Sequence, residues 1–163
     1  MLKGEWHVVH YSNDPKYRGY VRIGTVVIEQ KMDEYYLVKG KNSSVKNGNK
    51  VDHSDWYSYG AYKFSPGHRK FSGVFDCSEF VDHEAGKSKE DKSKEDKPKT
   101  VVGWHELRIL GTSNQRMIGD FYNAHCDEER KPKEGKMKLF IDQEEAQQEY
   151  GQLLVRRNSS GEN

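Results

Sequence analysis

The chain has little of what usually gives a function away. Its 163 residues include only two cysteines, Cys77 and Cys126, too few for a disulfide framework and not arranged as a CxxC pair. Reduced thiols and a cytoplasmic location are the expectation. No apolar run approaches the roughly 18 residues that span a bilayer, and the opening MLKGEWHVVH lacks the apolar core of a secretory leader. No membrane segment is therefore expected. Formal net charge is +1, without the basic excess of a domain that binds bulk nucleic acid. No nucleophile elbow, P-loop or dinucleotide fingerprint occurs. His7 and His10 fall on opposite faces of a strand, and His105-Glu106 lacks the second histidine of a zincin helix. These absences exclude the usual metal and catalytic signatures, so neither an enzyme nor a resident cofactor is expected.

What is present is aromatic and unevenly distributed. Three Trp, ten Tyr and six Phe can supply a core, while mean hydropathy is only −1.06. The polarity is concentrated in residues 86–99 and 156–163. The first contains KSKED twice, at Lys87–Asp91 and Lys92–Asp96. A charged repeat with no apolar residue has nothing to bury. The expected organisation is one barrel domain over 1–155, interrupted by a disordered insertion at 84–99 and followed by a disordered tail at 156–163.

Eight strand-like segments occupy most of the body: 4–12, 18–30, 34–40, 54–64, 70–81, 100–110, 116–125 and 136–142. Residues 41–52, KNSSVKNGNKVD, read as a polar loop. Gly111-Thr112-Ser113-Asn114 reads as a turn. Asp142 with Glu145 three residues on resembles a helix-capping pair, and Ala146, Tyr150, Leu153 and Leu154 share one helical stripe. The expected fold is all-β: an eight-stranded, mostly antiparallel up-and-down barrel, lipocalin-like, with a short C-terminal helix.

A repeated spacing supports the barrel. Alternate strand residues share a face, and that face reads Gly4-Trp6, Gly24-Val26-Ile28, Gly60-Tyr62-Phe64, Phe71-Gly73-Phe75, Gly103-His105-Leu107 and Met117-Gly119-Phe121. Small barrels alternate small and large inward residues, and glycine relieves sharp coiling. If these faces point inward, so do Arg22, Ser58, His105, Asn123 and His125, with Cys77 on the same face of the fifth strand. A few polar groups in an aromatic surround suit a small-molecule pocket. Tyr62, Phe75 and Phe121 would offer stacking surfaces, and Arg22 a clamp for phosphate or carboxylate.

Gly4-x-Trp6, the strand order and the late helix resemble the lipocalin-like (calycin) barrels. HELRILGTSNQRMIGDFYN (105–123) with GKMKLF (135–140) resembles the closing strands of the β-barrel in S-2TMβ-type CBASS effectors of bacterial anti-phage defence, over roughly residues 2–142. That resemblance implies a sensor of a cyclic di- or trinucleotide and a ligand-dependent homo-oligomer. This chain departs from the pattern in showing no transmembrane helices. A small anionic ligand, with a cyclic oligonucleotide foremost, is the leading expectation. The alternatives are a carrier of an apolar or haem-like ligand, with His105 or His125 as axial ligand, and a protein-interaction barrel with a filled interior.

Overall fold

The computed structural model describes residues 2–14, 21–33, 35–46, 49–65, 68–81, 99–112, 115–124 and 133–159. Eight strands follow one another around a closed barrel: β1 (Gly4–Ser12), β2 (Arg22–Met32), β3 (Tyr35–Lys46), β4 (Asn49–Ser65), β5 (His68–Val81), β6 (Lys99–Leu110), β7 (Arg116–Asn123) and β8 (Lys133–Phe140). Every neighbouring pair is antiparallel, and β8 closes onto β1 through pairs such as Val8 with Leu139. The expected up-and-down barrel is the observed one. Closure removes the free strand edges that an open sheet would expose.

Side-chain parity explains why these segments are strands. Along β6, Val101, Gly103, His105, Leu107 and Ile109 are buried, while Val102, Trp104, Glu106, Arg108 and Leu110 are exposed. That period of two is a strand's signature. Several ends differ from expectation. The segment read as a loop at 41–52 belongs largely to β3 and β4, which are paired down to Lys46 with Asn49. Its polar residues misled the reading, yet alternation persists there: Asn42 and Ser54 are buried inward partners across the two strands. β2 begins at Arg22, β7 ends at Asn123, and β8 starts earlier, at Lys133. The KSKED repeats lie outside the described residues.

The helix α1 (Gln143–Ser159) starts where the sequence placed it. Asp142 Oδ1 accepts hydrogen bonds from the backbone N–H groups of Glu144 (2.7 Å) and Glu145 (3.1 Å), a typical N-cap. Ala146 and Leu153 pack on the outside of the barrel against Val9, Val21 and Phe140, flanked by Tyr11, Ile23, Tyr150 and Leu154. Both helix ends are pinned. Arg116 makes a two-pronged ion pair with Glu145 at 2.9 and 3.0 Å. Arg157 donates to the Ser12 carbonyl at 3.0 Å, with its guanidinium 4.4 Å from the Tyr11 ring centre. The helix therefore takes in residues 156–159, which the polar sequence RRNS had assigned to a disordered tail.

Candidate ligand-binding end of the barrel

The barrel has two unlike ends. At one, Leu2 and Trp6 form a plug, with Trp6 Nε1 donating to the Leu2 carbonyl at 2.9 Å. Ile28, Val38, Phe71, Leu107, Met117 and Leu139 fill the adjoining layers with 1% exposure or less. At the other end, inward positions turn polar: His10 on β1, Arg22 on β2, Asn42 on β3, Ser54 on β4 and Asn123 on β7. On β1, β2, β3 and β7 these residues adjoin inward series that are apolar or glycine, whereas β5 and β6 bring Cys77 and Val101 to the same end.

Between the ends, glycines serve a purpose that parity alone did not reveal. Gly40 stands opposite Trp56, Gly73 opposite His105, Gly103 opposite Phe75 and Gly135 opposite Phe121 in the register. A Cβ on Gly40 would lie 2.2 Å from the Trp56 indole, one on Gly103 2.6 Å from the Phe75 ring, and one on Gly135 2.3 Å from the Phe121 ring. Each glycine is a slot for a ring from the neighbouring strand, an arrangement that stabilises strand glycines in sheets generally. The expectation was that inward glycines alternate with large residues and relieve sharp coiling. Among the described residues, they also seat rings from the neighbouring strand.

His105 sits at the centre of this packing. Its ring stacks between Phe71 (centroids 5.5 Å apart) and Phe75 (6.5 Å), and its Nε2 is 2.7 Å from Ser58 Oγ. Its Nδ1 is buried without a hydrogen-bond partner. Burial pushes its pKa down to about 4, so the ring is neutral near pH 7. A hydroxyl–imidazole pair suggests a nucleophile and base, but here Ser58 is 0% exposed and His105 2%, so the pair is enclosed in the barrel packing.

Nearer the polar end lies a second network, which the sequence reading did not assemble. Turned to satisfy its neighbours, the Asn42 amide oxygen accepts from His10 Nε2 at 2.9 Å and Trp56 Nε1 at 2.8 Å, while its nitrogen donates to the Lys41 carbonyl at 3.1 Å. His10 packs edge-on to Phe121, with centroids 5.5 Å apart. Burial and then the positive charge of Arg22 hold the His10 pKa down to about 3. Arg22 is half-buried on the same inward face, paired in register with His10.

The expected site residues thus separate by depth. Arg22 and Asn123 line the polar end, and Phe75 and Phe121 lie just below it at 8% exposure each. Ser58 and His105 are deeper, in sealed packing. The register pairs Tyr62 with Phe71, toward the plugged end and away from Arg22; its side chain lies outside the described residues, as does all of His125. His10, Asn42, Ser54 and Trp56 were missed. Sequence spacing alone presents His10 only as a candidate metal ligand and places Asn42 in a polar loop. The available signal was parity: His10 follows Trp6 and Val8 at intervals of two.

On the outer wall, a depression of about 340 Å³ is lined by Lys70, Glu106, Arg108, Asp120 and Lys136 among others. Two ion pairs, Lys70–Glu106 and Lys136–Asp120, already satisfy most of its charge. No group of three metal-ligating side chains occurs among the described residues. No helix among them is long and apolar enough to cross a membrane. No protein family, curated protein or solved structure matches this chain.

Proposed function

We propose that the barrel binds a small anionic ligand across its polar end, as a sensor, with a cyclic di- or trinucleotide as the first candidate. The observation that carries this reading is the gathering of Arg22, His10, Asn42 and Asn123 at one end of a barrel whose other end is plugged. Arg22 supplies a planar, permanently charged fork suited to phosphate or carboxylate. Asn123 supplies an amide that can both donate and accept. His10 is neutral and already bonded to Asn42, so it shapes the floor rather than adding charge.

The ring slots refine this reading. Phe75 and Phe121 are engaged with Gly103 and Gly135, so a nucleotide rests on the rim instead of inserting its bases between these rings. An apolar or haem-like cargo would require those rings to leave their slots, which makes the carrier reading the weaker one.

The test is a thermal-shift screen with cyclic di- and trinucleotides, fatty acids and haem. A ligand present at 100 times its Kd stabilises by about 2.7 kcal/mol. The expected result is a rise in Tm with an anionic nucleotide that disappears in Arg22→Ala. No shift with any cyclic nucleotide at saturation rejects nucleotide sensing, and a shift with fatty acid or haem alone moves the function to the carrier reading.

A further inference from the structure

The outer wall is clothed by α1 over β1, β2 and β8. The opposite wall, centred on β5, carries a row of apolar side chains in direct register. Tyr59 on β4 pairs with Val74 on β5, Val74 with Trp104 on β6, and Trp104 with Tyr122 on β7. One row nearer the polar end lie Tyr57 and Val102, separated by Asp76. Exposure is 73% for Tyr59, 59% for Val74, 52% for Tyr57 and 45% for both Trp104 and Val102. Trp104 and Tyr122 stack on each other, with centroids 5.1 Å apart and planes 16° from parallel. Those rings spend facing surface on one another, which suits a packed protein contact better than a platform for a flat ligand.

We infer that this aromatic wall is a two-fold docking surface for a second copy of the chain. At roughly 200 Å² per aromatic side chain, the exposed fractions of Tyr57, Tyr59 and Trp104 amount to about 350 Å². The two valines bring the patch to about 500 Å², larger than a scattered surface needs to expose. Two such patches remove about 1,000 Å² from solvent, the size of a weak, reversible interface. A closed barrel has no strand edge to offer, so association has to use a face.

The face is also self-complementary. A two-fold axis lying along the Tyr59–Val74–Trp104 row sets each of these residues against its own copy. It also brings Tyr57 over Ala61, Asp76 near Ser72, and Val102 near Glu106 of the partner, because these pairs straddle the row on β4, β5 and β6. An axis along the strands would instead set Asp76 against Asp76. A net charge of +1 leaves little repulsion between copies. The contact is independent of the polar end and needs no ligand.

Sedimentation velocity on the ligand-free full chain tests the inference, over a concentration range of about 5 to 500 μM suited to an interface of this size. A reversible dimer is expected. Val74→Lys places two positive charges beside the axis and should weaken association at least about tenfold, a change worth 1.4 kcal/mol, with the melting curve unchanged at concentrations where both chains are monomeric. Should that variant fold poorly, Val74→Cys provides a second reading. Mild oxidation should trap it as a disulfide-linked dimer faster than the wild-type chain or Thr25→Cys, on the wall near the helix. A wild-type monomer throughout the range, or Val74→Cys trapping no faster than Thr25→Cys, overturns the inference.

Discussion

Lowering the pH from about 7.5 to about 5 should remove some 4 kcal/mol of folding stability, well before most carboxylates titrate. The two buried histidines are responsible. His105 is held to about 4 by burial, and His10 to about 3 by burial and then by Arg22. In the unfolded chain both titrate near 6.5. Below that pH the unfolded state takes up protons that the folded state refuses, so stability is present in full above 6.5 and is lost as pH falls toward the folded values. At about pH 5, the linkage relation gives about 2 kcal/mol for each histidine. Set against the 5–15 kcal/mol typical of a domain, the sum is large enough to move the midpoint of urea unfolding visibly. The assay is that midpoint, with its slope, at about pH 7.5 and about pH 5. His105→Gln should lose roughly half of the pH-dependent decline. A flat stability over this range in the wild type, or a full decline retained in His105→Gln, would refute the assignment of neutral buried rings.

Two further predictions concern the helix and its seat. Asp142→Ala removes the acceptor for two backbone N–H groups and should cost about 1 kcal/mol in chemical unfolding; an unchanged midpoint would mean that the cap contributes nothing. Leu153→Ala should cost about 2 kcal/mol or more, because this 7%-exposed side chain is one of the few that seat the helix on Val9 and Phe140. Amide exchange should then accelerate across α1 while β4, β5 and β6 stay protected, and uniform acceleration would contradict a separately seated helix.

Much of the architecture was legible because strand parity survives in the sequence. The series Gly103-His105-Leu107 and Phe71-Gly73-Phe75 point inward as their spacing indicated, and Asp142 caps the helix that its spacing to Glu145 suggested. What parity could not supply was pairing across strands. That Gly40 faces Trp56 and Gly103 faces Phe75 depends on register, and only that register turns glycine from a curvature device into a ring slot. Asn42 was hidden for a different reason: a buried amide looks like a loop residue until His10 and Trp56 are placed beside it. The tail misled through composition. Arg157 is polar, yet it reaches the Ser12 carbonyl and the Tyr11 ring, so charge there fastens the helix instead of dissolving it. The outer row from Tyr59 to Trp104 was likewise invisible, since outward aromatics on separate strands become a surface only when the barrel aligns them.

A barrel middle filled by rings seated over glycines is what confines a ligand to the polar rim, and a double-mutant cycle at Gly40 and Trp56 tests that packing most directly. The three atoms nearest to a Cβ on Gly40 all belong to the Trp56 indole, at 2.2–2.7 Å. Gly40→Ala should therefore destabilise the wild type by about 2 kcal/mol or more through overpacking. In the Trp56→Leu background, the same change should cost well under about 1 kcal/mol, for a coupling above about 1 kcal/mol between the two sites. Equal costs in the two backgrounds would contradict the ring-slot account and reopen the barrel interior to a ligand.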